Sequence, residues 1–485
     1  MADYKKGGFK AGLEIHQQLD TPKLFSRAPS FLRSDEPDYI VKRKLHAVPG
    51  ETGEVDVAVE YEASLDKELI YEGYNDTITL VELDESPPLP INEEALDVCL
   101  QIALLLNCEI FPVTQVMRKM VIDGSNTSGF QRTVLIAHDG FVETSFGRIP
   151  IDTVALEEDS ARIIKKDEKS ATYRLDRLGI PLVEIATAPF MINAEQVKEC
   201  ALKIGEILRA CRVKRGIGTI RQDVNVSIKG HDRVEIKGFQ DPKMFVKTID
   251  MEIERQLKDI RNKKNSGEVR NAKEDGSTEF LRPMPGKARM YPETDLELLR
   301  IDREKINRIK KNLPKLKADI RNELRKKGLN EEMIKIVVDS PETLDEFNVL
   351  MRVYSKDANL VAKMVVLWRN EIATKMNKSL DDMKDILSER YLERILEKVK
   401  NKEIGEKDVK QVMFKIAEGK SFEEAIKGVG EKASDDEIEN EVRKLIKDKP
   451  GMRENAYMGM VMAKYKGKID ARKAAEIVKS VAANS

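Results

Sequence analysis

The spacing of apolar residues changes once along this chain, near residue 295, and that change limits the folds open to it. Before it, apolar residues recur at every second position in short segments: EVDVAVEYEA (54–63), DTITLVEL (76–83), RTVLIAHDG (132–140), GRIPIDTVAL (147–156), IRQDVNVSIK (220–229) and DRVEIKGF (232–239). Such alternation predicts half-buried strands with one dry and one wet face. Two amphipathic helical patterns interrupt them, INEEALDVCLQIALLLNC (91–108) and AEQVKECALKIGEILRACRV (194–213). Many strands and few helices predict an α+β fold with a mainly antiparallel sheet. The polar stretch 256–282 reads as a loop or join. From about residue 300 the spacing is helical, with Asp302, Ser340 and Ser379 placed as N-caps, the last opening LDDMKDILSERYLERILEKV. A further boundary falls near 355–380.

At 485 residues the chain exceeds one ordinary core, so several domains are expected. Lys and Arg (84) balance Asp and Glu (85), so net charge names no partner. Its distribution says more. Residues 51–100 carry 15 acids and one Lys, residues 301–330 carry 11 bases against 4 acids, and residues 441–485 carry 11 against 5. Solvated helix faces and a nucleic-acid footprint both account for the basic segments. Cys99, Cys108, Cys200 and Cys211 form no CxxC pair, so they read as buried thiols in a reducing compartment. MADYKKGGFK lacks the apolar stretch of a signal peptide, and VCLQIALLLNC (98–108) is too short for a membrane span. The expected location is cytoplasmic.

No GxxxxGK[ST], GxSxG or HExxH occurs, and GIG (216–218) is a lone GxG. Any nucleotide chemistry must therefore use the wet face of the sheet. There Glu14 and His16 alternate with Leu13 and Ile15, while Arg221, Asp223, Asn225 and Ser227 alternate with Val224 and Val226. Glu235 and Lys237 flank Ile236, Glu184 lies between Val183 and Ile185, and Thr172, Arg174 and Asp176 share a face. Glu157, Glu158 and Asp159 end an apolar strand. A hydrated face explains any one of these segments. Together they imply converging carboxylates, which repel unless cations neutralise them. Oxygen ligands with one imidazole suit Mg²⁺ or Mn²⁺, and the adjoining Arg and Lys suit phosphate oxygens. The implied chemistry is phosphoryl transfer. His138 and His231 sit in apparent turn sequences, HDG and GHD, and read as merely polar.

GLEIHQQLDTPKLFS (12–26), VALEEDSARI (154–163), YRLDRLGIPLVEIATAP (173–189), GTIRQDVNVSI (218–228) and RVEIKGFQDPKMF (233–245) together resemble the GatB/GatE family of glutamyl-tRNA(Gln) amidotransferase subunits. EIHQQLDT, the acidic segment 51–100 and RPMPGKARMYPETD (282–295) look most like the archaeal GatE form. The resemblance implies a glutamine synthetase/guanido kinase-like catalytic cradle over 1–298, a helical domain over 299–370, and a YqeY-like, tRNA-contacting tail over 371–485 that includes GKIDARKAAEIV (467–478). It implies ATP and Mg²⁺ as cofactors and activation of Glu-tRNA(Gln) as a γ-glutamyl phosphate. Ammonia would come from an asparaginase-like GatD partner in an assembly of two GatD and two GatE chains. Carried onto this sequence, His16, Glu184 and Glu157 or Glu158 match metal-ligating positions. Glu14, His16, Glu184, Asp223 and Lys237 form the candidate catalytic set, and Arg174, Asp176, Arg221, Asn225 and Glu235 the candidate ATP contacts. GatE relatives carry an inserted domain, similar to one of bacterial aspartyl-tRNA synthetase, between positions matching 254–256 and 282–295. Only a short polar join through Asn265, Ser266 and Gly267 stands there in this chain. A non-catalytic tRNA-binding protein that retained the fold, and a small-molecule ligase, are the competing readings.

Overall fold

The computed structural model describes every residue except 1–3, 5, 6, 48, 50–52, 56, 240, 285–289, 428–434, 465–470, 484 and 485. Parts of MADYKKGGFK, EVDVAVEYEA, RPMPGKARMYPETD and GKIDARKAAEIV thus lie outside the described residues. The chain divides into two compact units, Met1–Leu316 and Lys317–Ser485.

The first unit is built on an 11-stranded sheet. Its strands, in chain order, are β1 (Lys10–Gln18), β2 (Glu109–Ile110), β3 (Val116–Met120), β4 (Phe130–Thr144), β5 (Gly147–Glu158), β6 (Pro181–Thr187), β7 (Ile220–Ser227), β8 (Val234–Phe239), β9 (Glu268–Ala272), β10 (Thr278–Pro283) and β11 (Met290–Pro292). The spatial order is β10-β9-β8-β7-β1-β6-β5-β4-β3-β11, with β2 against β4. All pairs are antiparallel except β8 with β9. β1, near the N-terminus, thus lies at the centre between β6 and β7.

The alternation in β1 sends Ala11, Leu13 and Ile15 to a core where each is at most 1% exposed. Val183 and Ile185 of β6 and Val224 and Val226 of β7 join them. The helices α1 (Glu93–Leu105), α2 (Ala194–Ala210) and α3 (Met244–Arg261) supply the rest of that core, including Ile102, Ile204, Leu208 and Ile249. Burying each Leu or Ile contributes about 1.5–3 kcal/mol. The Asn92 side chain caps α1 by accepting from Glu94 and Ala95, and Asn193 caps α2 by accepting from Gln196. All four cysteines are buried and free.

A smaller sheet, ordered Tyr39–Arg43, Glu68–Gly73, Ser170–Arg174, Arg162–Lys166, has its own core around Leu69, Tyr71 and Tyr173. The second unit is helical among its described residues. One core runs from Leu324 to Ala425, and a separate one gathers Ile438, Val442, Tyr457, Val461, Val478 and Val481. No helix among the described residues is long and apolar enough to cross a membrane.

Several local expectations fail for identifiable reasons. Within EVDVAVEYEA, Val57–Ser64 is a helix: its Ala and Glu are strong helix formers, and Val59 packs with Met120 and Ile122. DTITLVEL forms turns because the Glu82 carboxylate accepts from the Thr79 backbone N–H and hydroxyl, both at 2.8 Å, in competition with strand pairing. The expected join at 256–282 holds the end of α3 and the β9–β10 hairpin. His138 lies within β4, with the left-handed Asp139 after it. The Ser379 cap opens a helix that stops at Ile386, and a second begins at Glu389.

Candidate functional site

Directly opposed residues of an antiparallel pair share a face, so the register around β1 builds the site. His16 lies opposite both Glu184 of β6 and Arg221 of β7, and Glu14 opposite Ala186 and Asp223. Asn225 is opposite Gly12 on one side and Glu235 on the other. Glu157 of β5 is opposite Leu182, one pleat beyond Glu184. The wet face at the sheet's middle therefore collects Glu14, His16, Glu157, Glu184, Arg221, Asp223, Asn225, Glu235 and Lys237. Its floor is shallow, because Ala155 is the neighbour of Glu184 and Ala186 that of Glu14.

His16 is the pivot. Its Nε2 lies 3.2 Å from Glu184 and 3.5 Å from Glu14. Lys119 of β3 reaches Glu157 at 2.5 Å and Glu184 at 3.6 Å, and the Gln131 amide donates to Glu157 at 3.2 Å. On the other flank the Lys237 ammonium lies between Asp223 (2.6 Å) and Glu235 (2.5 Å). Arg221 donates to Asp159 at 2.7 Å, and Asp159 also accepts from Gln18 at 2.6 Å. An acidic centre is thus flanked by cations.

The charges set the protonation of the centre. Burial pulls the His16 imidazole down, but its bond to Glu184 and the nearby Glu184, Glu14 and Glu157 charges lift it to about 9. Burial and Glu184 together push Glu14 up to about 7 against the pull of His16 and Lys237. Burial and Glu184 likewise raise Glu157. Burial works against Glu184 too, yet Lys119 and His16 hold its carboxyl well below the usual range. Burial would lower Lys237, but Asp223 and Glu235 keep it above an ordinary lysine.

Two overlapping donor sets could hold a cation: Glu14, His16 and Asp223, and His16, Glu157 and Glu184, with ligand atoms within 4.8 Å of one another in each. Carboxylate oxygens with one imidazole fit a hard divalent ion. The Oδ1 of Asn225, beside Asp223, is buried and accepts no hydrogen bond. That leaves an acceptor for a ligand to satisfy. A metal must displace the protons these groups carry. Affinity at the Glu14–His16–Asp223 set is expected to rise about a hundredfold per pH unit below about pH 7, where Glu14 and His16 both lose protons. It should rise about tenfold per unit from there to about 9 and then level off. Calorimetric titration with Mn²⁺ across this range checks it, and a flat profile would contradict it.

Not every sequence candidate reaches this face. Glu158 follows Glu157 in the strand and so points the other way, where it accepts from the Arg132 backbone at 3.3 Å and faces the Arg132 guanidinium at 3.4 Å. Arg174 pairs with Glu72 at 2.7 Å, and buried Asp176 accepts from Arg162 and from the Arg33 backbone. Both belong to the small sheet's ion pairs, away from His16. The sequence reading missed Lys119 and Gln131, which only the β3–β4–β5 register brings to Glu157. It also missed Gln18, although Gln18 continues the Glu14–His16 alternation.

A sequence profile of the GatB/GatE catalytic domain matches residues 9–307, and one of the GatB domain matches residues 345–481. The chain belongs to the GatB/GatE family. Curated relatives that bear the name of the GatE component of glutamyl-tRNA(Gln) amidotransferase include that of Methanocaldococcus jannaschii, 35% identical across 98% of this chain and 99% of its own length. The Pyrococcus furiosus protein is 37% identical over 70% of this chain and 76% of its own length. That of Thermococcus gammatolerans reaches 54% over 53% of this chain and 41% of its own. The Methanocaldococcus alignment runs to 632 positions against 485 residues here, so that GatB/GatE protein carries a long stretch with no counterpart in this chain. Every residue gathered around His16 lies inside the matched GatB/GatE catalytic domain.

Proposed function

We propose that this chain is a tRNA-dependent amidotransferase subunit that converts Glu-tRNA(Gln) to Gln-tRNA(Gln) at the face around His16. The observation that carries the reading is the meeting of Glu14, His16, Glu157, Glu184 and Asp223 on one face between Lys119, Arg221 and Lys237. Acids alone would suit a cation site, and cations alone an anion site. The two together suit the phosphates of ATP beside a reacting carboxylate.

In the reaction, an oxygen of the substrate's γ-carboxylate attacks the γ-phosphorus of ATP. The bond from that phosphorus to the bridging oxygen breaks, and ADP leaves with the electron pair. Ammonia then attacks the acyl carbon, phosphate departs, and the nitrogen loses a proton to give the amide. Lys237 gives two of its donors to Asp223 and Glu235 and retains one for a phosphate oxygen. Arg221, 40% exposed, has donors beyond the one given to Asp159. Lys119 lies where charge on the acyl group must be balanced. His16, Glu14, Glu157, Glu184 and Asp223 would hold Mg²⁺, which neutralises phosphate charge when bound. Asn225 and Glu235 complete the nucleotide side. The ammonia would come from an asparaginase-like GatD partner, two copies of each chain making the assembly.

Incubation with Glu-tRNA(Gln), ATP, Mg²⁺ and free ammonium tests the reading. Glutaminyl-tRNA and ADP should form in equal amounts without the partner. Tight tRNA binding with no ATP turnover would leave the retained-fold, non-catalytic reading instead.

The segment 371–485 is proposed as the tRNA-contacting tail, behind the helical segment 299–370. Residues 435–485 enclose a small core of their own, and within them residues 441–485 carry 11 bases against 5 acids. Removing them is expected to weaken tRNA binding and flatten its salt dependence, by about 0.9 in logarithmic slope per lost phosphate contact to duplex RNA treated as DNA. An unchanged slope would show that the tail touches no phosphate.

A further inference from the structure

We propose that two loops at the end of β1 seat the single-stranded 3′ end of the RNA whose aminoacyl group the site acts on. This rests on the function proposed above. The segments are RAPSFLR (27–33) and RACRVKRGIGTIR (209–221). Lys214 N–H donates to the Gln18 carbonyl and Gln18 N–H to that of Thr219, both at 2.9 Å, and Leu19 bridges Val213. The buried Gln17 amide donates to the carbonyls of Gln18, Lys214 and Thr219 at 3.0, 3.0 and 3.1 Å, clamping the base of the second loop. The Lys214 ammonium donates to the Ser30 carbonyl and ties the two loops together. Gln18 lies two residues beyond His16, about 7 Å along the strand. The second loop also runs directly into β7, which carries Arg221 onto the site. The surface therefore borders the reacting centre.

Its chemistry is basic and apolar at once. Residues 209–221 hold five Lys and Arg and no Asp or Glu. Arg212 pairs with Glu94 at 2.6 Å and Arg221 with Asp159 at 2.7 Å, and Lys214 lies 3.8 Å from Asp20. Arg27, Arg209 and Arg215 are exposed and make no ion pair among the described residues. Arg215 gives one donor to the Arg209 carbonyl at the end of α2, at 2.9 Å. Capping a helix end accounts for Arg215, and the charges of Arg27 and Arg209 are left without an ion-pair partner among the described residues. Beside it, Phe31 is 46%, Leu32 50% and Ile217 98% exposed. Gly216 (φ 114°) and Gly218 (φ 83°) take left-handed backbone on either side of Ile217, with nothing within 4 Å of an added Cβ. That turn holds the apolar side chain out in solvent.

Uncompensated arginines beside a projecting apolar side chain and an exposed aromatic ring match a single nucleic-acid strand. Phosphates take the guanidinium groups, and bases stack on or wedge against the apolar groups. The surplus charge favours a polyanion over an apolar protein face.

The test uses the full chain and two tRNA(Gln) transcripts, one intact and one lacking its single-stranded 3′ end. Wild-type protein should bind the shortened transcript more weakly. Arg209→Gln/Arg215→Gln should make the logarithmic salt slope for the intact transcript shallower by about 1.4, at about 0.7 per single-strand phosphate. Phe31→Ala/Ile217→Asp should bind both transcripts alike. These side chains are surface groups, and unchanged melting temperatures verify folding. An unchanged salt slope with full discrimination between transcripts would overturn the proposal. So would variants that keep tRNA binding but lose association with the amidase partner. Wild-type protein that binds neither transcript would instead bring down the proposed function, and this inference with it.

Discussion

Replacing His16 by alanine should lower ATP-dependent amide formation by a factor on the order of 10²–10³, or more, while tRNA affinity changes little. The reason is position. His16 belongs to both donor sets and touches both Glu14 and Glu184. Removing it takes the one imidazole from either cation site and leaves carboxylates facing one another, which shifts them toward the protonated state. The tRNA contacts proposed here lie on the tail and at the end of β1. A His16→Gln variant keeps a donor for Glu184 without the imidazole base. It should be stable yet nearly as inactive, which separates loss of chemistry from loss of fold. Steady-state rates with free ammonium, filter binding of tRNA and melting curves on both variants decide the matter. Near-normal turnover by His16→Ala would remove the metal face from the account.

The second large effect is on stability. Glu293 has a side chain with no exposed surface, and it bonds Arg118 at 2.5 Å and Arg132 at 2.9 Å. Arg132, also buried, turns to Glu158, and Arg118 packs over Phe130. This network fastens the short β11 segment to β3 and β4. Glu293→Ala would leave Arg132 with one distant carboxylate and Arg118 with only Asp295 at 3.3 Å. Stranding buried charge in this way costs about 3–5 kcal/mol. Burial alone would raise the Glu293 carboxyl, but the bond to Arg118, the Asp295 backbone N–H and Arg132 hold it below its ordinary value. Its stabilising contribution is therefore complete above the ordinary carboxylate range and is lost as pH falls through the lower folded value. Denaturant unfolding at pH 7 and in acid should show a wide gap between wild type and variant that narrows in acid. Equal stabilities at pH 7 would contradict the network's role.

The sequence exposed the face of the central strand but not its neighbours. Period-two spacing in LEIHQ places Glu14 and His16 together before any partner is known, and the same spacing places Asp223 with Asn225. Adjacent like charges defeat that reasoning. Glu157 and Glu158 are both acids, so only the register at the end of β5 shows which one shares the face of Glu184, and Arg118 and Lys119 are both basic in VMRKM. Lys119 reaches the site through the β3–β4–β5 register, a long-range fact that no local pattern carries. Arg174 and Asp176 lie off the His16 face for the complementary reason. Arg174 ends a strand of the smaller sheet, and Asp176 lies in the turn that follows it. The helical stretch after residue 300 was easier to read, since Asp302 in the first unit and Ser340 and Ser379 in the second all cap where their side chains can accept the first free N–H groups.

The central claim is that the substrate's γ-carboxylate is phosphorylated on this face before nitrogen arrives. The fate of one oxygen tests it most directly. With Glu-tRNA(Gln) carrying ¹⁸O in the γ-carboxylate, and ATP, Mg²⁺ and ammonium supplied, the account expects each inorganic phosphate released with amide formation to carry one ¹⁸O from that carboxylate. Unlabelled phosphate, with glutaminyl-tRNA still formed, would contradict it.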